Sequence, residues 1–299
     1  MISSLRGHRY TTWVRSATHA KANANDRKGV FMSSLASAAV LGVVEGLTEF
    51  LPVSSTGHLI LTSSLLGLSG QKIDAFNVII QLGAILAVVV IYRDRFLGLI
   101  RPEEGRRFSG LYGIKLLIIT SLPASALGLI ANDFIEQALF NPRTVAIALA
   151  VGALLILFME SRNKAPRVRS IDEMTPGLAL GVGLFQCLAL WPGFSRSAAT
   201  IMGGMFCGAG RTVAAEYSFI AAVPIMCAAT GYKLLSTWSL YTSDDLLFLA
   251  VGFVVSFLAA WAAVKTFIAL LQRFTLRPFA WYRLALAPFV LFFWPAWAS

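Results

Sequence analysis

Charged residues are scarce in this chain of 299 residues: they make up 13% of it, whereas 57% of the residues are hydrophobic. A soluble globular domain carries about 25% charged residues. No polar stretch long enough to form a soluble domain follows residue 32. The composition therefore predicts an all-α polytopic membrane protein and argues against a soluble domain.

Cysteine is scarce as well. The three cysteines, Cys187, Cys207 and Cys227, form no Cys-X-X-Cys pair and no metal-ligand spacing, so we interpret them as small core residues.

Acidic residues are outnumbered by basic ones. The 25 lysines and arginines against 15 acids give a net charge of +10. These basic residues cluster in short loops between apolar segments, which is the positive-inside pattern of membrane proteins. We expect membrane lipids as neighbours and no nucleic-acid partner.

Residues 1–30 lack any apolar run, so they do not form a simple signal peptide. They contain six basic residues and one acid, Asp26. We predict a basic N-terminal extension that is disordered or that precedes the true start site, because Met32 stands just before the first apolar segment. Residues 31–299 then form a single integral membrane domain, with repeat halves at about 31–160 and 175–299.

Six apolar segments are long enough to cross a bilayer. They are Ala75–Tyr92, Leu111–Ala131, Arg143–Met159, Val213–Leu235, Leu246–Leu271 and Phe279–Ala298. The loops after Tyr92, Met159 and Leu271 are basic and are expected in the cytoplasm. The loops near Asp133 and Asp244 are acidic and are expected outside.

Two further apolar stretches, Phe31–Leu68 and Pro176–Gly208, are each interrupted by a proline, Pro52 or Pro192. The orientation of the neighbouring crossings requires each stretch to enter the membrane and return on the same side. We therefore predict two re-entrant helical hairpins, one dipping from outside and one from inside. Such broken backbone is tolerated where protein or a water-filled cavity surrounds it.

The two hairpins are related by an internal repeat. Pro52-Val-Ser-Ser55 aligns with Pro192-Gly-Phe-Ser195 at an offset of 140, and each motif follows an apolar helix. Because one copy enters from outside and the other from inside, the repeat has inverted topology. Inverted repeats with broken helices place their site near the bilayer midplane, so we expect residues 52–58 and 192–200 to meet there.

The second interruption offers a phosphate site. Arg196 is the only cation between Arg169 and Arg211, and a guanidinium matches the geometry of phosphate oxygens. Three hydroxyl residues near it can donate further hydrogen bonds: Ser195, Ser197 and Thr200. The alternative is that Arg196 pairs with Glu45 or Glu49 and neutralises a buried charge, and the two interpretations are compatible in the empty state.

The first interruption carries two carboxylates, Glu45 and Glu49, which lie four residues apart and share a helix face. Beside a phosphate they need a divalent cation, Mg²⁺ or Ca²⁺, or else a proton, so that one of them acts as an acid or a base. Ser55 is a candidate nucleophile. His58 is a candidate base, nucleophile or hydrogen-bond donor, and Gln81 is a weaker candidate for the cavity lining.

Three more residues of the two hairpins are noted for their positions. Gly42 and Gly46 form one face that lets another helix approach closely, and we interpret them as packing residues. Gln186 lies in the second hairpin, roughly opposite Glu45 in the repeat.

The chain resembles the bacterial undecaprenyl-diphosphatase family, the bacitracin-resistance type of integral membrane phosphatase. The resemblance is carried by Glu45-Gly-Leu-Thr-Glu-Phe-Leu-Pro-Val-Ser-Ser-Thr-Gly-His58 and by Leu190-Trp-Pro-Gly-Phe-Ser-Arg-Ser197, with a Phe-Gln-Cys-Leu-Ala-Leu run ahead of the second motif. It extends from about residue 32 to the end of the chain. One departure is Ala198, where the family commonly has glycine.

The resemblance implies hydrolysis of undecaprenyl diphosphate to undecaprenyl phosphate and inorganic phosphate. This reaction recycles the lipid carrier of peptidoglycan synthesis and confers bacitracin resistance. The resemblance also implies a divalent-metal cofactor and a multi-pass protein of the bacterial inner membrane, with the active site facing the outer side. A homodimer is one assembly that it allows.

The residues of the two motifs receive three roles in this hypothesis. The catalytic residues are Glu49, Ser55, His58 and Arg196; the phosphate-binding residues are Ser54, Thr56, Ser195, Arg196, Ser197 and Thr200; the metal ligands are Glu45 and Glu49. Ser55, activated by Glu49 or His58, attacks the terminal phosphorus, or these residues position a water. The alternative function is a transporter or flippase of polyprenyl phosphate, because inverted repeats with broken helices also mark transporters. A carrier needs Arg196 but has no use for Ser55 beside Glu49.

Overall fold

The structure, a computed structural model, describes residues 35–162, 165–243 and 245–294. Within these ranges it is all-helical, and the only β-type pairing is an isolated bridge between Val168 and Ala209. The helices are α1 (Leu35–Thr48), α2 (Ser55–Leu65), α3 (Gln71–Ile79), α4 (Gln81–Ile91), α5 (Arg93–Ile100), α6 (Gly110–Phe134), α7 (Pro142–Ser161), α8 (Pro176–Gln186), α9 (Arg196–Phe206), α10 (Arg211–Thr237), α11 (Asp245–Leu271) and α12 (Arg277–Phe293). Short π or 3₁₀ segments are Ile135–Leu139, Ile171–Glu173, Cys187–Leu190 and Trp238–Leu240. The predicted N-terminal extension, residues 1–30, lies outside the described residues.

Five helical segments of the described chain are long and apolar enough to cross a membrane. They are Gln71–Ile91 (α3 with α4), Gly110–Phe134, Pro142–Ser161, Arg211–Leu240 and Asp245–Leu271. These segments coincide with five of the six predicted crossings. Helix α12 takes the place of the sixth, but it has 17 residues, and residues 295–299 lie outside the described ranges. That crossing therefore stays a prediction.

Local sequence sets where two of these helices begin. Asn141 accepts a hydrogen bond from the N–H of Thr144 at 3.1 Å, and Pro142 takes the first position of α7. At the start of α8, Thr175 likewise accepts a hydrogen bond from the N–H of Leu178, and Pro176 takes the first helical position. A polar cap satisfies one of the free N–H groups of the first turn, and proline fits the next position because it has no N–H to satisfy.

Both predicted interruptions are present as short turns between two helices. Residues 49–54 separate α1 from α2, and residues 191–195 separate the 3₁₀ extension of α8 from α9. Each turn ends on a serine with positive φ, 72° at Ser54 and 78° at Ser195, and no other non-glycine residue in the described ranges has this conformation. The left-handed region is unfavourable for residues other than glycine, so the surrounding structure must hold both turns in place.

The structural repeat has a register of 141 residues. Ser195 lies 141 positions after Ser54, and α9 begins and ends 141 positions after α2. The offset of 140 predicted from the prolines is one residue short, because Pro52 corresponds to Gly193. The backbone instead matches the two serines that precede the returning helices, and a glycine with positive φ follows each of those helices at the same register.

The first helix of each repeat half packs against a long helix of the other half. On α1, a Cβ at Gly42 would lie 2.7 Å from a carbonyl oxygen of α11, and a Cβ at Gly46 would overlap the carbonyl oxygen of Ser256. On α8, a Cβ at Gly183 would lie 2.6 Å from the carbonyl oxygen of Thr120 on α6. Only glycine permits such close backbone contacts, and the packing role predicted for the α1 glycines is confirmed.

Candidate active site

A cavity of about 200 Å³ lies where the two turns meet. The first turn and the start of α2 line it with Glu49, Ser54, Ser55 and Thr56, and the second turn with Pro192, Gly193, Ser195 and Arg196. Gln81 of α4, Ala189 and Met226 of α10 line the rest. The prediction that the two interruptions come together is confirmed, and so is the position of Gln81 in the lining.

Three side chains from the first turn and from the starts of α2 and α9 form a continuous chain of polar contacts. The hydroxyl of Ser55 donates a hydrogen bond to Oε2 of Glu49 at 2.6 Å. The other carboxylate oxygen, Oε1, accepts a hydrogen bond from Nη2 of Arg196 at 3.2 Å. Glu49 and Arg196 are 147 residues apart in sequence, and both side chains are largely buried. Of the two carboxylates considered as partners for Arg196, the structure pairs it with Glu49.

The guanidinium of Arg196, the first residue of α9, is held from several sides. Nη1 donates to the carbonyl oxygen of Ser218 on α10 at 3.2 Å. The guanidinium carbon lies 5.4 Å from the centre of the Phe50 ring, within the range of a cation–π contact. Nε is buried and has no hydrogen-bond acceptor among the described residues. These contacts fix the position of the cation beside the cavity.

The hydroxyl groups of the second turn and of the first part of α9 serve two purposes. Ser195 lines the cavity, and its Oγ also accepts a hydrogen bond from a backbone N–H in the first turn of α9 at 3.3 Å. Ser197 and Thr200 are fully buried behind the cavity. Ser197 donates to the carbonyl oxygen of Leu51 at 2.8 Å, and Thr200 donates to that of Arg196 at 2.9 Å. The direct phosphate contact expected of Ser197 and Thr200 does not match this geometry, because both hydroxyls brace the turns instead.

His58 makes its contacts away from the hydroxyl of Ser55. Its Nδ1 lies 2.8 Å from the carbonyl oxygen of Ser54, and its Nε2 lies 2.6 Å from the hydroxyl of Tyr282. Because a carbonyl oxygen only accepts, Nδ1 carries a proton, and in the neutral ring Nε2 accepts from Tyr282. The two rings are also stacked, with centroids 5.6 Å apart. The contacts therefore favour Glu49 over His58 as the group that activates Ser55.

Glu45 lies one helical turn before Glu49 on α1 and is fully buried, with 0% of its surface exposed. Neither of its carboxylate oxygens has a hydrogen-bond donor among the described residues. A buried ionised carboxylate without a partner is costly, so Glu45 is either protonated or paired with a bound cation. In the described ranges, no group of three or more His, Cys, Asp or Glu side chains is placed to hold a metal ion. A cation at Glu45 would therefore need further ligands of other kinds, such as hydroxyl or carbonyl oxygens, waters or a substrate phosphate.

Gln186 occupies the position equivalent to Glu45, 141 residues later, and is also buried. Its amide donates a hydrogen bond to the carbonyl oxygen of Thr120 on α6 at 3.2 Å. The second hairpin thus has a neutral group bound to a neighbouring helix where the first hairpin has a carboxylate.

Two residues of α12 reach the site although the sequence analysis did not single them out. Tyr282 contacts His58, and Arg283 donates hydrogen bonds to the backbone of both turns. The sequence signal that could have identified Arg283 is its place within an apolar segment, because charged residues inside membrane spans are rare and usually functional.

The family model described as "Bacitracin resistance protein BacA" matches residues 38–289, which include both turns and most of α12. The chain belongs to the BacA family. The undecaprenyl-diphosphatase of Maridesulfovibrio salexigens is 68% identical over 263 residues, which cover 88% of this chain and 100% of that protein. The undecaprenyl-diphosphatase of Nitratidesulfovibrio vulgaris is 68% identical over 262 residues, covering 88% and 99%. That of Solidesulfovibrio magneticus is 61% identical over 264 residues, covering 88% and 100%. These similarities confirm the family that the two motifs indicated.

Proposed function

We propose that this BacA-family protein hydrolyses undecaprenyl diphosphate to undecaprenyl phosphate and inorganic phosphate. The observation that carries the proposal is the Ser55–Glu49–Arg196 chain, found in a protein 68% identical to proteins named undecaprenyl-diphosphatase. Phosphoryl transfer is catalysed mainly by positioning and by charge stabilisation, and the cavity offers a positioned hydroxyl, a base and a guanidinium. Recycling the lipid carrier of peptidoglycan synthesis fits the bacitracin resistance for which the family is named.

The three side chains divide the reaction between them. Arg196 binds the terminal phosphate, and Ser55 attacks its phosphorus while the hydroxyl proton passes to Glu49, 2.6 Å away. The bond from phosphorus to the bridging oxygen breaks, and Glu49 transfers its proton to the departing undecaprenyl phosphate. A water then cleaves the phosphoserine: Glu49 accepts the proton of the water, and that proton restores the hydroxyl of Ser55. In the alternative, Ser55 and Glu49 position a water that attacks directly, and no phosphoserine forms.

Three hydroxyl side chains of the cavity are assigned to the phosphate oxygens of the substrate. They are Ser54, Thr56 and Ser195, which line the cavity beside Arg196. Ser197 and Thr200 contribute indirectly, because their hydroxyls hold the turn that presents Arg196.

A divalent cation, Mg²⁺ or Ca²⁺, is assigned to Glu45 and Glu49. The support is that both oxygens of the buried Glu45 lack a hydrogen-bond donor one helical turn from Glu49. When both carboxylates are ionised, Arg196 compensates only one of them, and a diphosphate brings further negative charge. Mg²⁺ sites commonly combine one or two carboxylates with substrate phosphates and waters, so two protein ligands fit. A cation bound there would neutralise charge on the phosphate oxygens.

The proposed topology is six transmembrane helices plus two re-entrant hairpins, α1–α2 and α8–α9, in an inverted repeat. It is supported by the five candidate crossings, by α12 at the place of the sixth, and by the 141-residue register of the two broken helix pairs. Together with the basic loops, this topology predicts a multi-pass membrane protein. The family resemblance implies the bacterial inner membrane and a cavity that opens to the outer side.

Phosphate release from undecaprenyl diphosphate tests the function, with purified full-length protein in detergent micelles containing Mg²⁺. The wild type should turn over, and kcat should fall at least about 10³-fold in Arg196→Ala, the contribution typical of a guanidinium that stabilises phosphoryl transfer. Arg169→Ala is the matched control, because Arg169 is exposed and outside the cavity. Full activity in Arg196→Ala contradicts the proposed site. A wild type that releases no phosphate but moves polyprenyl phosphate across a liposome bilayer supports the transporter instead.

A further inference from the structure

Arg283 of α12 is fully buried, with 0% of its surface exposed, and its guanidinium donates to four backbone carbonyl oxygens. Two of them belong to α7: Leu149, bound by Nε at 3.1 Å, and Ala148, bound by Nη2 at 3.2 Å. The other two belong to the turns at the site: Pro52, bound by Nη1 at 3.2 Å, and Gly193, bound by Nη2 at 3.4 Å. One side chain of the last described helix thus joins both turns to α7.

Packing alone does not explain an arginine at this position. Arg283 forms no ion pair with a carboxylate of the described residues, although other arginines do. A buried cation without a counter-ion is costly, and an apolar side chain of similar volume commonly stabilises such a space better. The surroundings nevertheless fit the guanidinium, because a Cβ at Gly152 of α7 would overlap it and the Phe194 ring centre lies 5.9 Å from its carbon.

The two turn carbonyls that Arg283 binds are equivalent in the repeat. Gly193 follows Pro52 by the same 141 positions that separate Ser54 from Ser195. Pro52 lies three residues before Ser55, and Gly193 lies three residues before Arg196. A guanidinium is a planar and rigid fork of donors, so it fixes the distance between two equivalent points of the backbone.

We propose that Arg283 is a positioning residue, which holds the turn carrying Glu49 and Ser55 at the correct distance from the turn carrying Arg196. The proposal rests on the hydrolysis proposed above. A displacement of about 1 Å between reacting groups costs on the order of 10²-fold in rate. Loss of the fork should therefore appear in kcat, whereas KM should change little because the groups that bind the substrate remain.

The kinetic experiment compares Arg283→Lys with Arg211→Lys in purified full-length protein. Both changes keep the positive charge and remove the planar fork. Arg211 is a matched control because its guanidinium binds the buried Glu160 through three hydrogen bonds, away from the cavity. With undecaprenyl diphosphate as substrate and rates given per folded molecule, we expect kcat to fall about 100-fold in Arg283→Lys with KM within about threefold. Both constants should stay within about threefold of wild type in Arg211→Lys.

Amide hydrogen exchange supplies a readout that does not depend on activity. Peptides covering residues 49–55 and 191–196 should exchange at least about tenfold faster in Arg283→Lys than in wild type, because both turns lose a support. They should exchange at the wild-type rate in Arg211→Lys. If Arg283→Lys does not fold, Gly152→Ala replaces it, since the added Cβ displaces the guanidinium without removing it.

The outcomes separate this proposal from the proposed function. A kcat of Arg283→Lys within about threefold of wild type overturns the positioning role. Unchanged exchange in either turn overturns it as well. If the wild type releases no phosphate, the hydrolase proposal fails, and the exchange rates alone decide whether Arg283 holds the two turns.

Discussion

Glu49→Gln tests the contact at the centre of the site, the hydrogen bond of 2.6 Å from Ser55 to Glu49. The change preserves the shape of the side chain but removes its charge and its ability to accept a proton. A positioned general base contributes about 10²–10⁴-fold to a rate, or about 3–5 kcal/mol, and kcat should fall by that factor. KM should not rise, because Arg196 loses its ion pair with a carboxylate and its Nη2 donor becomes more available to the substrate.

The double variant Glu49→Gln/Ser55→Ala gives the sharper result. When catalytic residues act as one unit, the effects of their substitutions on kcat are strongly non-additive. If Glu49 acts through Ser55, the double variant should be no more than about threefold slower than the slower single variant. Independent contributions would multiply instead, to at least about 10⁴-fold if each single change costs about 10²-fold.

The assay is phosphate release from undecaprenyl diphosphate by wild type, both single variants and the double variant. Glu216→Gln serves as the control, since Glu216 is a partly buried carboxyl of α10 that does not line the cavity. Two results would refute the reasoning. One is a kcat of Glu49→Gln within about tenfold of wild type, and the other is a double variant whose loss equals the product of the single losses.

Three further perturbations test the packing of α1 and the proposed cation. Gly46→Ala should lower the thermal unfolding temperature, because overlap with the carbonyl oxygen of Ser256 amounts to overpacking that typically costs about 1–3 kcal/mol. Gly177→Ala is the control, because a Cβ at Gly177 meets open space. Equal unfolding temperatures for the two variants would contradict the close α1–α11 contact. Removing divalent metal with a chelator should abolish phosphate release, and Mg²⁺ or Ca²⁺ should restore it. Glu45→Gln should raise the Mg²⁺ concentration for half-maximal activity at least about tenfold, and an unchanged metal dependence would argue against Glu45 as a ligand.

The class of fold and the neighbourhood of the site could be predicted from the sequence. Low charge and apolar segments of bilayer length indicate membrane helices because the hydrocarbon core sets the required length. Five of the predicted crossings coincide with helices that are long and apolar enough to span a membrane. The meeting of the two turns followed from the repeat, because similar broken helices in two halves place their interruptions together. Both steps rely on patterns that extend over many residues and do not depend on atomic detail.

The partners of individual side chains could not be predicted, since they depend on helix rotation and on distances of about an ångström. Glu45 and Glu49 share one helix face, yet it is Glu49 that binds Ser55 and Arg196. His58 stands three residues after Ser55 but bonds to Tyr282, 224 residues away. Nothing in a single sequence says which face of the last helix meets the first turn.

The two turns share a backbone but differ in chemistry, and this difference explains why two halves form one site. The first residue of the returning helix follows a positive-φ serine in both halves; it is Ser55 in one and Arg196 in the other, and both line the cavity. In the proposed mechanism, the same backbone position thus presents an attacking hydroxyl from one side and a phosphate-binding cation from the other. Glu45 and Gln186 differ in the same way, as a carboxylate without a partner and an amide bound to a neighbouring helix. Because each half carries only part of what hydrolysis needs, the complete site arises only where the halves meet.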